Sequence, residues 1–521
     1  MSPSMAPIRR PVHLRHFLLL LLLAATALVP SVAAQDVEQL DSYIAEAQRT
    51  WPVPGMAVAI VKDGEVVLAR GYGVLSLDDP TAVDEHTLFA IASNSKAFTS
   101  AALAILVDEG KLAWDDRVID YLPYLQLYDE YVTADIRIHD LLSHRSGYGT
   151  YSGDLLWYLT DYSAEEVLRR IRYLPPTGDF RASYRYSNLM FIAAGEVIAA
   201  VSGQSWAEFV QQRILDPLAM SRTLTSTSQL MVTDNVAQPH GLVDGQTHQF
   251  QWRGWDAAAA AAGVISSVDD MTAWLQLQLD RGIVETDTIF SPERSREMWT
   301  PYNSFRVSSG SESRWPSVHF RGYGLGWSLM DYRGRKVASH GGAFDGMYSR
   351  VALVPEENLG VVILTNSMTW ISTALTYQIL DAYLGGDGFD WSADYLPRFQ
   401  EYRAEFEASQ RHAEEHQVSG TTPSVPLEEY AGTYGGDLYG DATVAVADGH
   451  LVLQFLPAAE LVGDLRHLHY DTFIVEWRNQ FPWFGRGTVQ FILDAAGQPV
   501  EMKVDVPNED FWFTELEFLR R

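Results

Sequence analysis

Ser93 and Lys96 are the residues whose types and spacing most readily do chemistry. A serine three residues before a lysine on a helix puts hydroxyl and amine on one face, one turn apart. A hydroxyl is a weak nucleophile until a neighbouring base takes its proton, and an amine held beside it can arrange that. This is the logic of a serine acyl-transfer enzyme. Two more short motifs follow in chain order, Tyr186-Ser187-Asn188 and His340-Gly341-Gly342.

Ser-x-x-Lys alone is common, so the elements around it decide its meaning. The apolar run Leu88 to Ile91 precedes it, and Ala97 to Val107 continues as good helix formers towards Gly110. Ser93 is thereby placed at a helix N-terminus, where backbone N–H groups favour developing negative charge. Serine also caps helices, so nucleophile and cap weigh equally on these grounds. Helices are expected at 36–50, 138–147 (stopped by Gly147), 189–201, 268–280 with Ser267 as cap, and 370–384. A hairpin around Asp63-Gly64 and strands at 323–327, 349–354 and 360–365 complete an expected α/β (α+β) arrangement, a sheet packed by a helical region.

A charged helix at about 395–417 and a Ser/Thr/Pro-rich linker to 426 lead into a different pattern. From 427 the signals are β only: 443–446 and 451–455 around Asp448-Gly449, then 473–477, 489–493, 501–506 and 513–519. Those strands suffice for a small all-β barrel or sandwich.

Composition narrows the partners. The formal charge is −29 over 521 residues, so nucleic acid, which needs clustered Lys and Arg, is not an expected partner. Arg9, Arg10 and Arg15 precede the apolar run Phe17 to Val29 and the small residues Val32-Ala33-Ala34, the pattern of an export leader cleaved near Ala34. A periplasmic or secreted protein is expected, with no membrane span once residues 1–34 are removed. There is no cysteine.

Four stretches carry a resemblance: FAIASNSKAFTSAALAILVDEGKL (Phe89 to Leu112), IRIHDLLSHRSG (Ile136 to Gly147), YRYSNLMFIAAGEVI (Tyr184 to Ile198) and SHGGAFDGMYSRVALVPEENLGVVILTN (Ser339 to Asn366). In this order they resemble the serine β-lactamase and penicillin-binding-protein superfamily, in its class C-like branch of esterases and D-aminopeptidases. The resemblance implies a β-lactamase-like antiparallel sheet with a helical subdomain over residues 35–394. It implies Ser93 as the acylated nucleophile and Lys96 as its proton acceptor. Tyr186 would be partner base, its phenol made easier to deprotonate by the nearby Lys96 charge. Asn188 would bind the substrate's amide or steady Lys96. His340 and Gly342 would line the substrate strand, and the N–H groups of Ser93 and Ala343 would form the oxyanion hole. Residues 427–521 resemble a lipocalin-like extension that restricts access to the site or helps build homo-oligomers in some peptidase members.

One departure matters. Many β-lactam-recognising members carry Lys-Thr-Gly where this chain has His340-Gly341-Gly342, and histidine is charged only in part near neutral pH. The resemblance therefore implies a cofactor-free, metal-free hydrolase of a small amide or ester: a D-amino-acid peptide, a cell-wall fragment or a short-chain ester. A non-catalytic binding or assembly protein and a true β-lactamase are the alternatives. Within this family the segment holding His144 is scaffold. His412-Ala413-Glu414-Glu415-His416 matches an inverted zinc-protease pattern but lies in a charged stretch, where a solvated helix face is the expectation.

Overall fold

The computed structural model describes residues 32–521, with side chains from residue 37. The expected leader lies outside them but for its last three residues, which open the helix Val32–Thr50.

Eight antiparallel strands form the central sheet. Their order is Glu65–Gly73, Gly55–Lys62, Leu359–Thr365, Met347–Val354, Arg335–Phe344, Ser328–Tyr332, Arg321–Tyr323 and Asn303–Phe305. Strands far apart in sequence pair at its second and third positions, Met56 opposite Thr365 and Lys62 opposite Leu359. Both central strands are apolar on both faces because both faces are covered. Met56, Val58 and Ile60 meet the helices Val32–Thr50, Ile371–Leu384 and Trp391–Glu415 through Ile44, Leu375 and Phe399. Ala57, Ala59 and Val61 face the helical layer, with Phe98, Trp274 and Leu275. Asn366 ties the centre together. Its Oδ1 accepts from Gly55 N at 2.7 Å, and its Nδ2 donates to the carbonyls of Val74 (3.2 Å) and Leu75 (3.0 Å).

The helical layer holds Ser95–Asp108 against Asn188–Ser202 and the short helix Ala259–Ala262. Helix 138–147 is shorter than its sequence suggested. It spans Ile138–Leu142, because His144 rather than Gly147 takes the first left-handed conformation (φ 59). The expected strand 323–327 is a correction of another kind. The strand ends at Tyr323 and the rest is a turn, with Gly326 at φ 77. A Cβ on Gly326 would lie 2.6 Å from Ser100 Oγ and 3.0 Å from the Lys96 carbonyl, so this turn is pressed against the Ser95–Asp108 helix.

The C-terminal strands close into an eight-stranded barrel, Gly432–Gly436 to Phe518–Arg520. Asp448 and Gly449 both have positive φ, 49° and 81°, as a two-residue hairpin turn requires. Two strands had no sequence expectation, glycine-rich Gly432–Gly436 and charged Val462–His469. The expected strand 513–519 splits into a 3-10 turn, Phe513–Glu515, and a strand from Phe518. The barrel is fastened over the helical layer. Phe511 packs tilted against Tyr158 with ring centroids 4.1 Å apart, and Gly153 N donates to Glu515 Oε2 at 2.8 Å. Buried Asp345, at the turn after strand 335–344, accepts from Tyr158 OH (3.0 Å) and from Trp483 Nε1 (2.5 Å) of the barrel.

Asn366→Ala takes the side-chain partner from buried Gly55 N and from Val74 O, while Leu75 O keeps its bond from Gln238 N. We expect a loss of about 2–3 kcal/mol in unfolding free energy, read from the urea midpoint at unchanged slope.

Candidate active site

Ser93 sits on a strained turn. Ala92 has φ 48, residues Ala92–Asn94 form a single 3-10 turn, and the α-helix starts at Ser95. Neither turn nor helix has a side-chain cap, so Ser93 caps nothing. The turn is clamped to the sheet by Ser349, whose hydroxyl donates to Ile91 O at 2.6 Å and accepts from Asn94 Nδ2 at 2.8 Å. Ser93 itself stays partly exposed at the floor of a cavity of about 570 Å³.

Lys96 is fully buried one turn on. Its Nζ has three oxygen neighbours: Asn188 Oδ1 at 2.7 Å, Ala261 O at 3.0 Å and Ser93 Oγ at 3.1 Å. Two of these are carbonyls that can only accept. A neutral amine gives its two hydrogens to them and turns its lone pair to the third, the hydroxyl. Burial drives the Lys96 pKa down to about 7, against the opposing pull of Asp154.

Asp154 is the residue that the sequence reading missed. Its Oδ2 accepts from Asn188 Nδ2 at 2.6 Å and its Oδ1 from Trp157 Nε1 at 2.9 Å, while burial pushes its pKa up to about 8. Both ends of the Asn188 amide are therefore occupied, one by Lys96 and one by Asp154. Of the two expected roles for Asn188, the geometry favours steadying Lys96. A signal was present, since a lone carboxylate directly before the apolar run Leu155-Leu156-Trp157-Tyr158 needs partners wherever that run is buried.

Tyr186 lies against both. Lys96 Nζ is 4.7 Å from its ring centroid, and its phenol hydrogen-bonds Ser93. The expectation that its phenol is easier to deprotonate is corrected. Burial pushes its pKa well above the ordinary value, outweighing the Ser93 hydrogen bond.

His340 is also corrected in part. It lines the cavity, but both ring nitrogens are engaged in a chain with one direction. Ser187 N donates to His144 Nδ1 (3.0 Å), which leaves the hydrogen on His144 Nε2, facing Tyr323 OH at 3.2 Å. Tyr323 OH then donates a hydrogen bond to His340 Nε2 (2.9 Å), and His340 Nδ1 donates to Gly341 O (2.6 Å). Burial lowers the His340 pKa to about 3 and that of His144 well below its usual value, so both rings are neutral. His340 thus offers no charge to a substrate carboxylate. Arg350, opposite Gly341 on the next strand, lines the same cavity, and its Nε is buried without a partner among the described residues.

Strand 335–344 pairs with its outer neighbour only up to Ser339, so from His340 to Ala343 its edge opens towards Ser93. A Cβ on Gly342 would sit 2.1 Å from Ile91 O, so only glycine lets strand and Ser93 turn approach this closely. Tyr151, Trp157 and Trp255 line the cavity, while Tyr148 and Tyr158 are buried. Trp483, Glu509, Asp510 and Phe511 of the barrel complete the wall. His412 and His416 lie on an exposed helix face, and neighbouring Glu414 pairs with Arg466 and Arg486. Among the described residues no group of three or more His, Cys, Asp or Glu could hold a metal ion.

The family model described as Beta-lactamase matches residues 40–384. The chain belongs to the β-lactamase family. A second model, a domain of unknown function (DUF3471), matches residues 416–520. The chain is 29% identical over 451 residues to the unguisins hydrolase UngD of Aspergillus violaceofuscus, covering 78% of this chain and 76% of that one. It is 29% identical over 365 residues to a D-aminopeptidase of Gluconobacter oxydans, covering 67% of this chain and 62% of that one. In fold it is similar to an octameric penicillin-binding protein homologue from Pyrococcus abyssi, with a TM-score of 0.61 and 23% identity over 93% of this chain and all of that one.

Two outcomes follow from this geometry. The His340 ring ¹⁵N signals should stay at neutral-tautomer positions from about pH 8 to about pH 5, and titration in that window would refute the directed chain. Gly342→Ala should lower the kcat/KM of any Ser93-dependent turnover by about 10²-fold by pushing the strand off the Ser93 turn.

Proposed function

We propose that this protein is an exported serine hydrolase that cleaves a small amide or ester through an acyl-enzyme on Ser93. The carrying observation is the environment of Lys96: a buried amine, two carbonyl acceptors and one hydroxyl. Neutral Lys96, with Tyr186 as relay, takes the Ser93 proton as Oγ attacks the substrate carbonyl carbon. The N–H groups of Ser93 and Ala343 receive the resulting oxyanion. Collapse breaks the scissile bond, and the same proton passes through Tyr186 to the leaving amine or alcohol. Water then adds to the acyl-enzyme, giving its proton back along the same path and releasing the acid with Ser93 restored.

Two things support an amide substrate of modest size. The relatives include a D-aminopeptidase and a hydrolase named for unguisins, and the cavity is narrowed by barrel residues. Export rests on the leader-like residues 1–34.

Hydrolysis of p-nitrophenyl butyrate and of D-alanine p-nitroanilide tests the reading. Ser93→Ala should lose at least about 10⁴-fold in kcat and should no longer gain acyl mass in intact-protein mass spectrometry. Retained turnover in that variant would sink the reading. Because Lys96 must be neutral to accept a proton, kcat/KM should rise as pH increases through about 7 and then level.

A further inference from the structure

Asp154 is a buried acid that the proposed reaction leaves without a part. It opens the turn Asp154–Leu156, directly after Gly153, which is left-handed (φ 77). Its segment is fixed from three sides. Tyr151 N donates to Tyr186 O at 3.0 Å, and Trp157 N and Tyr158 N donate to the Asp154 carbonyl at 3.3 and 3.1 Å. From the barrel, Glu515 accepts from Gly153 N at 2.8 Å and from the Ser152 hydroxyl. Both oxygens of the Asp154 side chain face groups that can only donate there, Asn188 Nδ2 at 2.6 Å and Trp157 Nε1 at 2.9 Å. Two accepting oxygens are the arrangement of an ionised acid.

This has a consequence for direction. An amide can sit either way round, and turning Asn188 over would set its oxygen against the carboxylate and its N–H against the amine. Two buried hydrogen bonds would be lost. Asp154 therefore decides that the oxygen of Asn188 meets Lys96 Nζ, at 2.7 Å. Charge is the second consequence. When Lys96 takes the Ser93 proton, an ammonium forms at a fully buried atom. Its three hydrogens find Asn188 Oδ1, Ala261 O and Ser93 Oγ. A buried cation also needs a counter-charge. The groups facing Lys96 offer few. Burial holds Tyr186 neutral, burial together with Lys96 keeps the rings of His144 and His340 neutral, and the helix Ala259–Ala262 has no titratable residue. Asp154 is the one charge among the described residues that acts on Lys96, raising its pKa against the larger effect of burial. Burial pushes the pKa of Asp154 up in turn, opposed by its two hydrogen bonds and by Lys96.

We propose that Asp154 is a positioning residue of the Ser93 reaction, orienting the Asn188 amide towards Lys96 and supplying the counter-charge for the ammonium formed as Ser93 is acylated. In that step the proton leaves Ser93 Oγ for Lys96 Nζ while Oγ bonds the carbonyl carbon; Asp154 neither gives nor takes a proton. The order Asp154, Asn188, Lys96, Ser93 does for an amine base what a buried acid does for an imidazole base in a Ser-His-Asp triad. Its consequence for rate rests on the Ser93 reading; its consequence for the Lys96 titration does not.

Carbon-13 NMR of the full chain labelled at lysine Cε tests this, with the Lys96 signal assigned by its loss in Lys96→Met. Asp154→Asn should lower the Lys96 titration midpoint by at least about half a pH unit. The exchanged pair Asp154→Asn/Asn188→Asp, which puts the carboxylate in direct reach of Nζ, should raise it above that of wild type. In turnover of p-nitrophenyl butyrate, the acid limb of kcat/KM should move in the same two directions. The plateau kcat of Asp154→Asn should fall by at least about ten-fold with KM changed by less than about two-fold. A residue that merely supports the fold would cut the plateau and leave the midpoints in place. Unmoved midpoints, as a protonated Asp154 would give, would overturn the proposal, and so would shifts of the same sign in the two variants or an undiminished plateau in Asp154→Asn. If Asp154→Asn does not fold, the direction of the shift in the exchanged pair decides. Midpoints that move as stated in a protein without Ser93-dependent turnover would overturn the Ser93 mechanism and leave the orienting and counter-charge role standing.

Discussion

Burying an amine with two carbonyl oxygens and one hydroxyl is the constraint around which this molecule is organised. A lysine in contact with water stays protonated at neutral pH, and its lone pair is unavailable. Here desolvation brings the pKa to about 7, and the fixed carbonyls of Asn188 and Ala261 dictate where the lone pair points. That requires three elements to meet at Nζ: the Ser95–Asp108 helix, the start of Asn188–Ser202 and the short helix Ala259–Ala262. Their tight mutual packing, with small residues such as Ala260 against Gly195, is what excludes water from the amine.

The open strand edge is held by a different device, the neutral chain from Ser187 through His144 and Tyr323 to His340. It joins the segment bearing Tyr186 to the strand bearing Gly342 without placing a net charge in the core. Buried hydrogen bonds of this kind fix orientation because breaking one strands a desolvated donor or acceptor. A histidine that first looked like a rim residue for substrate is thereby a structural link in the wall, while Arg350 of the neighbouring strand brings to this side of the cavity a guanidinium whose Nε has no partner among the described residues.

The barrel is coupled to this same centre. Glu515 holds the backbone at Gly153, Asp154 holds Asn188, and Asn188 holds Lys96. Asp345 draws in Trp483 from the other side of the barrel loops. The loop carrying Glu509 and Asp510 is thus built onto the elements that orient the nucleophile, which makes the barrel part of the site's wall rather than an appended module.

The amino-acid sequence by itself determined the local matters. Ser93 and Lys96 come within 3.1 Å because a three-residue spacing is one turn, here a 3-10 turn running into the helix. The Asp63-Gly64 and Asp448-Gly449 turns follow from residues that tolerate positive φ, and continuous apolar runs such as Gly55–Lys62 must be central strands. Periodicity failed where tertiary contact overrides local preference, as at Gly326, whose turn is pressed against Lys96. Only the tertiary structure decided the rest. Pairing of Met56 with Thr365 spans most of the catalytic region, and Asp154, Tyr323, Arg350 and Asp510 reach the cavity from four separate segments. The protonation states of Lys96, Tyr186 and His340 were likewise undetermined, because desolvation is a property of everything packed around a group. Side-chain spacing is written along the chain, whereas the dielectric surroundings that set a proton's place exist only once the chain is folded.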